Sequence, residues 1–73
     1  MSEEIVKSEI AGVVRKVITE VGRFVEENDG LILIEAMKME IPVESPLVGQ
    51  VIKIFVKEGE IIEQAQPLLI VKT

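Results

Sequence analysis

Few side chains in this chain of 73 residues can make or break bonds, and they sort quickly. There is no cysteine and no histidine, which removes thiolate nucleophiles, Cys/His metal sites and the commonest general base. The three serines have no histidine to activate them. The acids are mostly scattered, with Glu3-Glu4 and Glu26-Glu27 the only adjacent pairs. No catalytic residue and no metal site is expected. The amines remain. Lys7, Lys16, Lys53, Lys57 and Lys72 lie in or beside β-forming runs, but Lys38 stands between Met37 and Met39 in the run EAMKME, near the chain midpoint. A free lysine amine is almost wholly protonated at neutral pH, so it does not acylate itself. A lone lysine of this kind is ordinarily a solvated charge, and it forms a bond only if an activated group is presented to it.

That chemistry needs a scaffold, and the rest of the chain supplies β-formers. Val and Ile make up 22 of the 73 residues. Their branched, stiff side chains favour strands. Glycines and prolines fall singly between short apolar runs, which is the pattern of an all-β sandwich or barrel with tight turns.

The chain also repeats itself. Slid by 37 residues, Gly12 falls on Gly49, Val14 on Val51, Val17 on Ile54 and Gly22 on Gly59. Val25 falls on Ile62, Ile32 on Leu69 and Ile34 on Val71, with no gap. Residues 12–35 and 49–72 are thus two copies of one half-domain related by a pseudo-two-fold axis. Neither half has enough strands to bury its own apolar face, and two halves closed face to face do. The expected strands are Ile5–Ile10, Val13–Thr19, Leu31–Glu35, Ile41–Glu44, Gln50–Val56 and Leu68–Val71. Turns are expected at Gly22, residues 26–30, Gly59 and residues 64–67. Pro42 cannot donate to a ladder, which places its strand at an edge or its nitrogen outward.

Lys38 lies in the connector between the copies. Ala, Met, Lys and Glu are good helix formers, but six residues between two strand runs are too few for a helix. The alternative is a tight hairpin with Met37 and Lys38 at its central positions. Such turns favour Asn-Gly because both φ angles are positive. A Met-Lys pair there breaks the local rule without structural gain, which points to function or strain. Methionines exposed at a tip suggest a contact surface.

The formal charge of −5 argues against nucleic acid as partner. The N-terminal MSEEIVKS has no signal-peptide character, and no apolar run approaches the ~20 residues of a membrane span. A cytoplasmic protein, forming one domain over residues 1–73, is expected. Exposed apolar surface near Phe24 or Phe55 could support a dimer, though nothing requires it.

Glu35-Ala36-Met37-Lys38-Met39-Glu40 resembles the attachment motif of biotinyl carrier domains, where the lysine between two methionines carries biotin. The flanking segments GVVRKVITEVGRFVEENDGLILIEAMKME and SPLVGQVIKIFVKEGEIIEQAQPLLIVK resemble the two halves of that domain, from about Ile5 to Lys72. The resemblance implies a flattened eight-stranded β-barrel, of hammerhead type, made of two quasi-symmetric four-stranded halves with the lysine on an exposed hairpin. It implies covalent biotin on Lys38, added by a biotin protein ligase. The amide would make the net charge more negative by one unit. The arm so built reaches on the order of 14 Å. It also implies shuttling of carboxyl groups between a biotin carboxylase and a carboxyltransferase, with the chain itself non-catalytic. Met37 and Met39 would support the partners' use of biotin, and Glu35 and Glu40 would help the ligase choose this lysine. The bland reading of both glutamates is ordinary cross-strand charge at a hairpin mouth.

Some features depart from the family pattern. Ala11 stands where members often carry proline, while Pro46 holds the matching place in the second half. No protruding thumb interrupts residues 12–35, and neither a linker nor a catalytic domain is expected beside the domain, so the chain most resembles free-standing bacillar biotin/lipoyl attachment proteins. Lipoyl domains share the implied fold and usually place Asp before and Ala after the lysine, so Met37 and Met39 favour biotin. Lipoate, with a lipoyl ligase as partner, stays open as an alternative. So does an unmodified β adaptor docking through its Met-rich tip.

Overall fold

The structure, a computed structural model, describes residues 2–73. Eight strands follow one another: β1 (Glu3–Lys7), β2 (Gly12–Val17), β3 (Phe24–Val25), β4 (Gly30–Ala36), β5 (Met39–Glu44), β6 (Gly49–Ile54), β7 (Ile61–Ile62) and β8 (Pro67–Lys72). They form two antiparallel four-stranded sheets, ordered β1-β8-β6-β3 and β5-β4-β2-β7. The molecule measures 36 × 17 × 17 Å. No helix among the described residues is long and apolar enough to cross a membrane.

The 37-residue shift carries β2 onto β6 and β3 onto β7 residue for residue, and overlays β1 on β5 and β4 on β8. It holds in the turns as well. Ser8 N–H donates to Gln66 O at 3.0 Å, and Ser45 N–H donates to Asp29 O at 2.8 Å. Each of these serines is buried and folds its hydroxyl onto the carbonyl two residues ahead, Ile10 at 2.5 Å and Leu47 at 2.7 Å. Asn28 and Ala65 both take positive φ, 74° and 69°, as do Gly22 and Gly59 at 97° and 87°.

The two sheets, however, are not the two halves. Each sheet takes two strands from either copy, so the halves interleave rather than close face to face. Interleaving gives every long strand of one copy a neighbour from the other, which neither half could provide alone. The expected all-β fold with two quasi-symmetric halves is present. Pro42 sits on β5, an edge strand, as its missing N–H requires.

Several strand bounds differ from the sequence expectation. Ile5–Ile10 becomes Glu3–Lys7, because the Ser8 hydroxyl turns the chain before Ile10. Val13–Thr19 ends at Val17, because Ile18 and Thr19 both donate to the single carbonyl of Leu31, at 2.9 and 3.1 Å, and the ladder cannot continue. Gln50–Val56 likewise stops at Ile54. β3 and β7 are only two residues long and were not distinguishable from the turns around them.

The core is Val14, Val25, Leu31, Ile32, Ile34, Val51, Ile62, Leu68, Leu69 and Val71, with Val6 and Val56 beside them. Each fully buried aliphatic side chain contributes roughly 1.5–3 kcal/mol. Two consecutive residues, Leu31-Ile32 and again Leu68-Leu69, are fully buried, which a regular strand does not permit. The ladders explain it: β5 skips Leu31 and β1 skips Leu68. These bulges turn an outward side chain into the interior.

Gly12 and Gly49 close the packing. A Cβ on Gly12 would lie 2.5 Å from Glu35 O, and one on Gly49 would lie 2.5 Å from Lys72 O. Neither place admits a side chain, so the repeat keeps glycine at both.

Candidate functional site

β4 and β5 form the hairpin that carries EAMKME. Their register pairs Ile34 with Ile41, Glu35 with Glu40 and Ala36 with Met39, leaving Met37 and Lys38 as the two-residue turn. Their φ angles are 52° and 62°, both in the left-handed region. The hairpin expected at these positions is therefore formed. A left-handed conformation costs an L-residue roughly 1–2 kcal/mol. Two such residues in succession persist only if the surroundings hold them. Here β4 is paired along both sides, by β2 and β5. Ala36 is buried against Gly12, where a Cβ would come within 3.2 Å of the alanine's own. Ala36 thus seats the turn, and its small size belongs to that fit.

Lys38 is exposed. Both ion pairs among the described residues belong to Arg15, and no hydrogen bond to Lys38 is formed. Met37 is 86% exposed and Met39 60%. The sequence motif is thus brought together as one tip: an amine held outward, flanked by two open thioether side chains. A groove of about 770 Å³ lies elsewhere, on the seam between edge strands β1 and β5 and lined by Ser8, Ser45, Asn28 and Ala65. Lys38 thus lies at a tip and not in this groove.

Glu35 and Glu40 face each other directly across the hairpin, just below the turn. Like charges so placed repel. The structure answers with a residue that the sequence analysis did not single out. Arg15 Nη1 lies 3.6 Å from Glu35 Oε1, and Arg15 Nε lies 3.5 Å from Glu40 Oε2. Arg15 reaches them from β2, where the ladder to β4 pairs Val14 with Ile34 and Lys16 with Leu33 and skips Arg15. A bulge of this kind re-aims a side chain. No sequence signal identified this clamp, since Arg15 is 20 residues from Glu35 and its position depends on the skipped register.

Continuing across the same sheet, Val13 pairs with both Glu35 and Ile61. Beneath the lysine there is accordingly a row with an acidic part, Glu35 and Glu40, and an apolar part, Val13 and the 77% exposed Ile61.

Comparison with known proteins finds similar chains. A family model described as "Biotin-requiring enzyme" matches residues 3–71. A biotin carboxyl carrier protein of acetyl-CoA carboxylase from a Nostoc species is 41% identical over 56 residues, 77% of this chain and 31% of that protein. The biotinylated protein TB7.3 homolog of Mycobacterium leprae is 35% identical over 71 residues, 97% of this chain and 99% of that one. Among solved structures, the Kluyveromyces lactis urea carboxylase superposes with a TM-score of 0.93 at 36% identity, over 99% of this chain and 6% of that one. The chain spans only 4% and 6% of two further curated relatives that it matches. These matches speak for biotin, and lipoate receives no support from them.

Proposed function

The chain belongs to the biotin- and lipoyl-attachment family, and from that premise we propose that it is a biotin carrier whose attachment point is Lys38. The observation that carries the assignment is the turn itself. A lysine in a left-handed conformation, exposed and without an ion pair, sits where Asn-Gly would be the unstrained choice. An unpaired, outward primary amine on a stiff hairpin fits amide formation with a carboxylic acid presented by a ligase.

In this reading Lys38 Nζ loses a proton and forms an amide with a carboxyl group that a biotin protein ligase has activated, and the activating group leaves. When attached, biotin supplies a ring nitrogen that takes up and gives off a carboxyl group. The chain's own part is mechanical. The paired β4 and the Gly12–Ala36 contact keep the base of the arm rigid, so the arm's search begins from a fixed point. Met37 and Met39 offer soft apolar contact beside the amine to successive partners. Those partners are a biotin carboxylase and a carboxyltransferase, visited in turn and held weakly, in the cytoplasm. Residues 1–73 act as one attachment domain without catalytic residues. Support comes from the carrier and carboxylase identities of the matched proteins.

The test is an intact mass after expression alongside biotin protein ligase and, separately, a lipoyl ligase. The expected result is a gain of one biotinyl group, lost in Lys38→Ala. Biotin surviving on Lys38→Ala would move the site. A lipoyl group or no gain would replace the biotin reading by the lipoyl or the adaptor reading.

A further inference from the structure

We infer that Arg15 is a positioning residue for recognition of the tip by the modifying ligase. It would act by holding the Glu35 and Glu40 carboxylates on the β2 side of the hairpin's outer face. The inference rests on the proposed biotinylation of Lys38 and adds to it a residue outside the attachment motif.

Glu35 and Glu40 are directly opposed on neighbouring strands, and both side chains are about half exposed, at 46% and 55%. Left to themselves, two long acidic side chains at this spacing splay apart in many rotamers. Arg15 presents two separate nitrogens of one planar fork, one to each carboxylate. That draws both towards β2 and narrows the set of arrangements a ligase meets. The interaction is built by the fold. β2 pairs with β4 through a ladder that skips Arg15, and it is this residue, 60% exposed, that turns to the hairpin.

The other half provides an internal control. Its ladder between β6 and β8 skips Ile52, the residue equivalent to Arg15, and the cross-strand pair beside it is Lys72 with Glu3. The bulge therefore belongs to the architecture, whereas the arginine belongs to the lysine end alone. The bulge alone therefore does not call for a polar side chain: Ile52 stands beside an oppositely charged pair, and an arginine accompanies the bulge only where two carboxylates face each other.

Arg15 does not touch the amine that reacts. Its loss should weaken association with the ligase and leave the chemical step unchanged. The experiment is steady-state biotinylation by purified biotin protein ligase, with carrier concentration varied. The carriers are wild type, Arg15→Gln, Arg15→Lys, Glu35→Gln/Glu40→Gln and the triple variant, each first shown by circular dichroism to be folded. We expect Arg15→Gln to raise KM by roughly three- to tenfold at constant kcat, in line with two exposed ion pairs. Arg15→Lys should recover part of that loss, because one ammonium cannot hold both carboxylates as a fork does. In the Glu35→Gln/Glu40→Gln background, Arg15→Gln should add nothing. A wild-type KM for Arg15→Gln, or an equal loss in that background, overturns the positioning role while leaving Lys38 as the attachment point. Absence of biotin on the wild-type chain overturns both.

Discussion

Shifted by 37 residues, the tip of the β4–β5 hairpin lands on the place where β1 and β8 run side by side at the opposite end. Ala36 becomes Thr73 and Met39 becomes Ser2. There the backbone settles into ordinary hydrogen bonds. Thr73 N–H donates to Ser2 O at 2.9 Å, and Ser2 N–H donates to the Thr73 hydroxyl at 3.1 Å. The adjoining cross-strand pair is Lys72 with Glu3, opposite in charge. At the hairpin end the positions equivalent to Lys72 and Glu3 hold two facing glutamates, and two left-handed residues, Met37 and Lys38, join the strands above them. One end therefore satisfies the rules of local stability and the other sets them aside, on the same scaffold. The like-charged pair, which stands in one copy where the other has an opposite pair, is not demanded by the fold.

Four experiments press on that contrast. The largest effects are expected from Gly12→Ala and Gly49→Ala, since each new Cβ meets a backbone oxygen at 2.5 Å. Both should lower stability by about 2–3 kcal/mol, read as denaturant midpoints. Only Gly12→Ala disturbs the seat of Ala36, so only it should also slow biotinylation of the folded protein. Equal slowing in the two variants would dissolve the distinction between the ends.

Next comes the turn. Met37→Asn with Lys38→Gly places the preferred pair of a two-residue hairpin at these φ angles. It should raise stability by about 1–2 kcal/mol while removing the proposed attachment point. A loss of stability would show that Met37 and Lys38 are not strained.

Thr19 tests the core in the same way. It is buried, and its hydroxyl has no hydrogen-bond partner among the described residues, whereas the equivalent residue in the other copy is the buried Val56. Thr19→Val should stabilise by about 1 kcal/mol, by relieving an unsatisfied buried hydroxyl. Thermal melting of the two proteins checks it.

The smallest effect concerns charge. Lys72→Glu sets a carboxylate across from Glu3, as Glu35 stands across from Glu40, and should cost about 0.5 kcal/mol in urea unfolding. Adding Ile52→Arg should return most of that loss by rebuilding at this end the clamp that Arg15 makes at the other. Failure of the second change to help would mean that the bulge alone does not aim the side chain.

Much of this was legible from the chain. The glycines in register and the matching apolar positions announced two copies, and their Val/Ile content announced strands. Met37 and Lys38 were placed in the turn because nothing else fits six residues between two strand runs. The two-residue strands β3 and β7 escaped notice, being too short to show alternation. The early end of the first strand, at Lys7, was hidden because it depends on a hydroxyl folding back on Ile10. Arg15 was hidden for another reason. Its partners are 20 and 25 residues away, and only the strand order and the skipped rung bring it to them.

By itself, then, the sequence determined what depends on neighbours along the chain: where β-formers run, where glycine must stand, which lysine sits in a turn, and that the whole is made of two copies. Tertiary structure decided what depends on neighbours across it. The halves interleave instead of stacking, Leu31 and Leu68 turn inward, and Arg15 meets both glutamates. The interleaving is set by strand order, and the other two follow from a slip of one residue in a ladder. Such a slip changes which face a side chain occupies, and it is set by the partner strand rather than by the residue's own sequence.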